Sequence, residues 1–224
     1  MTMVTKTITT PPFNLSSPPG TDIWRKPPSH NVLSAPTHPS PLPTYPLHLF
    51  QSARLTFMLP PPSQLRQYDQ AGLLLHFTKP GLADGKDKWI KTGIEFYYGK
   101  PYLSTVGCDQ WADWSIVPVE LNGEGRPSAT VEARREKDQL GKSLWVYHVV
   151  KDEAGKEQFG PVREVNWVFA LDEEEGWEVG VGGMVARPTM EGGNGTLVAE
   201  FGGVEHFQSI ESRSGGPAPS SDPQ

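Results

Sequence analysis

The sequence predicts an all-β fold, a sandwich of two antiparallel sheets. Pro and Gly each occur 23 times among 224 residues, which argues against a helical bundle because Pro removes a helix donor and Gly weakens the helix interior. After Pro62, short β-branched and aromatic runs are separated by Gly, Pro, Asn and Asp clusters, a spacing typical of a sandwich. Seven Trp, nine Phe and six Tyr supply one core.

The chain is predicted to form one domain over residues 13–207. Residues 1–12 are Thr-rich with little to bury, and residues 208–224 are rich in Ser, Gly and Pro, so we expect both ends to be disordered. Ten prolines fall between residues 27 and 62, and this Pro-rich segment is expected to run over the surface, with one strand at 52–59.

The predicted strands follow one another after the Pro-rich segment, and no helix of three turns is predicted. They are expected near residues 70–78, 89–98, 101–107, 114–119, 129–135, 144–150, 162–170, 177–185 and 196–206.

Composition excludes several classes of partner. The formal net charge is −6 and the Lys and Arg residues are dispersed, which disfavours binding to nucleic acid. No run approaches the roughly 18 apolar residues of a membrane span, and the N-terminus lacks a signal-peptide pattern. The single Cys108 excludes an internal disulfide. We therefore expect a cytoplasmic protein that binds neither nucleic acid nor a membrane.

Alternation along two strands predicts a polar face. In 89–98, the even positions are mainly apolar and suit the core, whereas the odd positions include Lys91 and Glu95. In 70–78, Gln70 and His76 lie opposite the apolar set. If the two strands pair as a hairpin, these four side chains share one face.

Polar residues interleaved with aromatic rings on a curved sheet suit a sugar, since rings stack on pyranose and polar groups bind its hydroxyls. A connector at 108–115 adds Asp113 and Trp114 to the rim, although it could equally be a tight turn that plugs the sandwich. An ordinary solvated face is the alternative. The predicted ligand-binding residues are Gln70, His76, Lys91, Glu95, Asp113 and Trp114.

Catalysis is the rival interpretation of the same face. A glycosidase needs two carboxyl groups about 5–5.5 or about 6.5–9.5 Å apart, and the candidates are Glu95 with Asp69 or Asp113. Gly93 and Tyr97 flank Glu95 at the i±2 positions, so its own strand supplies no partner. An ion pair with Lys91 explains Glu95 more simply. We predict no catalytic residues, no cofactor and no metal.

Several ordered blocks resemble one known family, the fungal family that includes the regulation-of-enolase protein. The similarity extends over roughly residues 13–207. The blocks that carry it are DIWRKPP (22–28), YDQAGL (68–73), WIKTGIEF (89–96), LSTV (103–106), ADWS (112–115), LWVY (144–147), REVNW (163–167) and ARP (186–188).

This resemblance implies a concanavalin A-like jelly roll, as in lectins and glucanases, and cytoplasmic regulation of enolase linked to galactose use. Enolase and a carbohydrate or other small polar ligand are therefore the expected partners. Glucanase relatives carry a Glu-x-Asp-x-x-Glu or Glu-x-Asp-x-Glu strand, of which this chain has only Glu95, so the resemblance favours a non-catalytic protein. A glycoside hydrolase and a scaffold acting through the Pro-rich segment remain alternatives.

Overall fold

The computed structural model describes residues 2–212, which form two antiparallel sheets packed face to face. The predicted all-β sandwich is confirmed. The strands are β1 (Thr2–Thr9), β2 (Phe13–Ser17), β3 (Ile23–Lys26), β4 (His30–Leu33), β5 (Thr37–His38), β6 (Thr44–Pro46), β7 (Phe50–Met58), β8 (Gln70–Thr78), β9 (Lys88–Tyr97), β10 (Lys100–Cys108), β11 (Ala112–Pro118), β12 (Ser128–Lys137), β13 (Lys142–Lys151), β14 (Glu157–Val165), β15 (Glu178–Ala186) and β16 (Leu197–Ser212).

The first sheet has the strand order β1-β16-β7-β12-β13-β14, and β2 also pairs with β16. The second sheet has the order β11-β10-β9-β8-β15-β5, and β6 also pairs with β15. Strands β3 and β4 form a separate hairpin. Short 3-10 turns occupy Leu47–Leu49, Pro62–Gln64 and Val168–Glu173.

The main core lies between the two sheets. Alternation places Leu73, Leu75 and Phe77 of β8 on its inner side, opposite Leu55 and Phe57 of β7, and all five are almost completely buried. Each such side chain contributes about 1.5–3 kcal/mol when it leaves water. This packing fixes the register of β8, and therefore fixes which of its residues point outwards.

A smaller apolar cluster covers part of the outer face of the second sheet. Ile23 of β3 packs there against Trp89, Val106 and Met184, with Leu42 at the edge. The Pro-rich segment contributes in two ways: its Ala35 and Leu42 pack against this cluster, and its end forms β7, which lies in the middle of the first sheet between β16 and β12.

Three expectations about boundaries are corrected. Residues 2–9 are not disordered, because they pair along their whole length with Glu205–Ser212 of β16. That pairing satisfies backbone groups, a contribution that counting apolar residues overlooks. The same pairing makes residues 208–212 part of β16, whereas residues 213–224 of the predicted disordered tail lie outside the described residues.

The strand expected at 162–170 occupies Glu157–Val165 instead. Gly160 and Pro161 suggest a turn when read alone, but an edge strand tolerates Pro because its outer donors need no partner. The apolar residues Val168, Phe169 and Leu171 then enter the core from a 3-10 turn rather than from a strand.

Candidate ligand-binding site

Strands β8 and β9 build the base of the candidate site. They pair as an antiparallel hairpin with Gln70 opposite Glu95, Gly72 opposite Gly93, and Leu74 opposite Lys91. Strand β10 adds Ser104 opposite Gly93, and β11 adds Trp114 beyond Val106. All these residues lie on the outer face of the second sheet, so Gln70, Lys91, Glu95 and Trp114 share one face.

Lys91 is buried in a polar and aromatic environment. Its Nζ donates a hydrogen bond to Gln70 Oε1 at 2.6 Å and lies 3.6 Å from Asp22 Oδ1. The rings of Trp24 and Trp89 lie on either side, with centroids 5.7 and 5.9 Å from Nζ. Burial lowers the pKa of Lys91, while the charges of Asp22 and Glu95 partly oppose that shift.

Glu95 is held by a short chain of donors. Ser104 Oγ donates to Glu95 Oε2 at 3.0 Å, and Trp114 Nε1 donates to Ser104 Oγ at the same distance. Burial raises the pKa of Glu95, and the positive charge of Lys91 acts in the opposite direction. A carboxyl in this setting is suited to accepting hydrogen bonds from a ligand that excludes water.

The space between Lys91 and Glu95 is small. Its volume is ≈ 10 Å³, and Gly72, Gly93 and Ser104 form part of its lining. That is room for about one water molecule, far less than a pyranose requires. A sugar therefore cannot enter between the two charged groups and would have to lie above them.

An aromatic rim surrounds the open end of this network. Tyr97 is its centre, with ring centroids 5.2 Å from Trp114, 5.7 Å from Tyr68 and 4.3 Å from Tyr98. Tyr68 and Tyr98 are 40% and 77% exposed, which leaves ring faces open for stacking. We call Trp24, Tyr68, Tyr97, Tyr98, Tyr102 and Trp114 the aromatic rim.

Two rim residues have left-handed backbones, with φ of 67° at Tyr68 and 45° at Tyr98. Tyr98 and Gly99 form the two-residue connection between β9 and β10, and positive φ at both positions is typical of a type I′ hairpin turn. Asn or Gly normally occupies such positions, so a Tyr with this backbone costs stability, and such residues cluster at functional sites.

The structure separates both proposed partner carboxylates from Glu95. Asp69 is fully buried in a two-pronged ion pair with Arg187, at 2.7 and 3.0 Å, and also accepts from the Arg66 backbone N–H. Asp113 pairs with Gly107 and so lies on the opposite face of the sheet from Trp114, where Arg163 of β14 binds it at 2.5 Å. Placing Asp113 beside Glu95 was wrong.

His76 shares the face but lies at its other end, opposite Trp89. Its Nε2 is 2.8 Å from Asp87 Oδ2, and Arg25 binds the other oxygen of the same carboxylate at 2.8 Å. The hydrogen bond with His76 and the charge of Arg25 lower the pKa of Asp87. The predicted common face therefore includes His76, but its side chain belongs to a second polar cluster at the far end of that face from Glu95.

Sequence reasoning missed Asp22, Trp24, Ser104 and the rim tyrosines as site residues. Alternation along 101–107 would have placed Tyr102 and Ser104 on the face of Glu95. Asp22 and Trp24 come from a distant hairpin that no local pattern connects to β9. Asp22 also accepts from Gln70 Nε2 at 3.3 Å, which makes it a second carboxylate of the network beside Glu95.

Among the side chains that the structure describes, no three His, Cys, Asp or Glu are close enough together to hold a metal ion. In the same part of the chain, no helix is long and apolar enough to cross a bilayer.

Comparison with known proteins gives a family and a fold. A protein of Emericella nidulans described as uncharacterized is 42% identical over 189 residues, which cover 84% of this chain and 82% of that one. A solved structure of a functionally unknown protein from Saccharomyces cerevisiae covers 94% of this chain and 97% of its own, with 18% identity and a TM-score of 0.56. That likeness concerns the fold alone. Residues 5–201 match the family described as "Protein of unknown function (DUF1349)", and the chain belongs to that family.

Proposed function

We propose that the protein is a non-catalytic binding protein whose aromatic rim holds a saccharide-like ligand over Glu95 and Gln70. The observation that carries the proposal is the rim itself, with exposed Tyr68 and Tyr98 beside a buried hydrogen-bonding network. Aromatic faces stack on sugar rings, and the tyrosine hydroxyls together with Glu95 would bind sugar hydroxyls.

The geometry argues against hydrolysis by the carboxylates predicted for it. Asp69 forms an ion pair with Arg187, and Asp113 forms one with Arg163. Neither carboxylate can therefore protonate a leaving group or activate water beside Glu95. Lys91 lies between Asp22 and Glu95, and a lysine in that position compensates their charges rather than supplying an acid and base pair. We therefore expect no glycosidase turnover.

Calorimetric titration of the full chain with mono- and oligosaccharides tests this proposal. Tyr98→Ala is expected to weaken binding at least tenfold, about 1.4 kcal/mol, because it removes the most exposed ring of the rim. Phe159→Ala is the control, since Phe159 is an exposed ring on the first sheet. Glu95→Gln keeps the size of the side chain and tests its role as an acceptor.

Two results would overturn the proposal: no saccharide binding to the native chain, or equal losses of affinity in Tyr98→Ala and Phe159→Ala.

Purified enolase forms a second arm of the titration, because the family resemblance of the sequence suggests it as a partner. If the chain binds enolase but no saccharide, the ligand of the aromatic rim is a segment of a protein rather than a sugar.

A further inference from the structure

A second cavity lies at the other end of the second sheet, beyond His76 and Trp89. Three segments line it: residues 29–31 at the start of β4, residues 85–86 before β9, and residues 110–111 between β10 and β11. Arg25 forms its inner wall. The volume is ≈ 190 Å³, below the roughly 300–1,000 Å³ of sites for drug-sized ligands, so the cavity suits a small molecule.

Arg25 gives the inner wall a fixed, buried cation. It is 4% exposed, and it donates to the side chain and the backbone carbonyl of Asp87, each at 2.8 Å. Its Nε donates to Asn31 Oδ1 at 2.8 Å. Because that contact occupies the oxygen of Asn31, its amide Nδ2 is the group left beside Gly85 on the cavity lining, and Nδ2 is a donor.

The remaining lining side chains can also donate hydrogen bonds. They are those of Lys86, Ser29, His30, Gln110 and Trp111, and no lining residue is a carboxylate. The nearest acidic neighbour along the chain from Gln110 is Asp109, which is paired with Lys88. Among the side chains that the structure describes, Lys86 is in no ion pair. Asp84 and Asp87 flank it in sequence and Asp87 neutralises Arg25, so the unpaired positive charge of the lining is that of Lys86.

We propose that this cavity binds a phosphate monoester of a small ring-bearing molecule. Lys86 supplies a mobile point charge, and the amides of Asn31 and Gln110 supply neutral donors for the remaining phosphate oxygens. Trp111, with 36% of its surface exposed, covers the apolar face of the ring. A carboxylate has fewer oxygens and would leave donors unpaired, and an uncharged polyol would gain less from the charge of Lys86.

Calorimetry at constant ionic strength tests the proposal with three probes: inorganic phosphate, glucose 6-phosphate and glucose. In the Tyr98→Ala variant, whose aromatic rim is weakened for saccharides, both phosphates are expected to bind and glucose is not. Lys86→Gln is expected to weaken both phosphates at least tenfold, and Trp111→Ala to weaken glucose 6-phosphate more than inorganic phosphate. Lys100→Gln is the matched control, an exposed lysine at the start of β10.

The proposal is wrong if neither phosphate binds, if glucose binds the Tyr98→Ala variant as tightly as glucose 6-phosphate does, or if Lys100→Gln weakens binding as much as Lys86→Gln. The last result would mean that only overall charge matters. Both lysines are exposed, so their replacement is expected to leave the fold intact, which thermal unfolding checks. Tyr98→Ala is expected to leave phosphate binding unchanged, and this keeps the cavity distinguishable from the aromatic rim.

Discussion

Gly72 and Gly93 face each other across β8 and β9, in the middle of the face that carries Lys91 and Glu95. A glycine inside a strand weakens the sheet unless something approaches closely, and from the sequence a ligand could fill that role. The structure assigns it to the neighbouring backbone: a Cβ added to either glycine would lie 2.6 Å from the Cα of the other. The two glycines thus allow the strands to pack, and the missing side chains leave only the small space beneath the aromatic rim.

Gly93→Ala is accordingly expected to destabilise the protein by roughly 1–3 kcal/mol or more, as overpacking does, because the obstacle is backbone that cannot rotate away. Gly123→Ala is the control, since a Cβ there meets nothing within 4 Å. The free energy of unfolding in urea measures both. Equal stability of the two variants would show that the strands can separate at no cost.

The ion pair of Asp69 with Arg187 gives a second residue-level prediction. Asp69→Asn leaves Arg187 buried with no opposite charge, which is expected to cost about 3–5 kcal/mol. Asp113→Asn is the matched control: the Asp113 side chain is 78% exposed, so losing its pair with Arg163 is expected to cost less than about 1 kcal/mol. Denaturant titration distinguishes them, and a small loss in Asp69→Asn would argue against a structural role for this aspartate.

At the level of elements, the β8–β9 hairpin was the part of the site that the sequence could predict. Its alternation sorts Gln70, Lys91 and Glu95 onto one face, and the core side chains hold that register. The same alternation rule excludes Asp113 from this face once β11 begins at Ala112, as in the structure, rather than at Trp114, as predicted. A strand boundary displaced by two residues hid the fact that Asp113 and Trp114 point to opposite faces.

The β3–β4 hairpin is the element that the sequence did not place. Its Ile23 is 1% exposed and packs on the outer face of the second sheet, whereas its partner in the ladder, Leu33, is 46% exposed. Ile23→Ala is expected to cost about 2–5 kcal/mol, and Leu33→Ala to stay within about 0.5 kcal/mol. Similar losses in chemical unfolding would mean that this hairpin does not cover the sheet.

For the molecule as a whole, the sequence predicts the sandwich because strand spacing, turn residues and aromatic content all act locally. The site depends on contacts that are distant in sequence. Asp22 reaches Lys91 across nearly seventy positions, and Arg163 reaches Asp113 from the other sheet. Such contacts follow from how the sheets and the Pro-rich segment pack, and no pattern within one strand encodes them. A carboxylate's chemical role here is therefore decided by tertiary structure.

The stability of the whole molecule is expected to fall in mild acid because of His206, which lies on β16 between β1 and β7. It is 2% exposed, and its ring lies 4.7 Å from that of Tyr45 and 5.4 Å from that of Phe50. Neither ring nitrogen has a hydrogen-bond partner among the groups that the structure describes. Burial lowers the pKa of His206 from 6.5 to about 4.

Between pH 6.5 and 4, the ring of His206 is therefore protonated in the unfolded chain but neutral in the folded chain. The free energy of unfolding consequently decreases as the pH falls through that range. A difference of that size corresponds to about 3 kcal/mol. His206→Phe removes this contribution but keeps an aromatic ring. Asp87, whose pKa is lowered, and Glu95, whose pKa is raised, also make stability depend on pH, in opposite directions. Both groups are present in the native chain and in the variant, so their contributions cancel when the two proteins are compared. Urea unfolding at pH 7 and pH 4 is expected to show a loss about 3 kcal/mol larger for the native chain than for His206→Phe. Parallel pH profiles would mean that β16 opens enough to hydrate His206 without unfolding the sandwich.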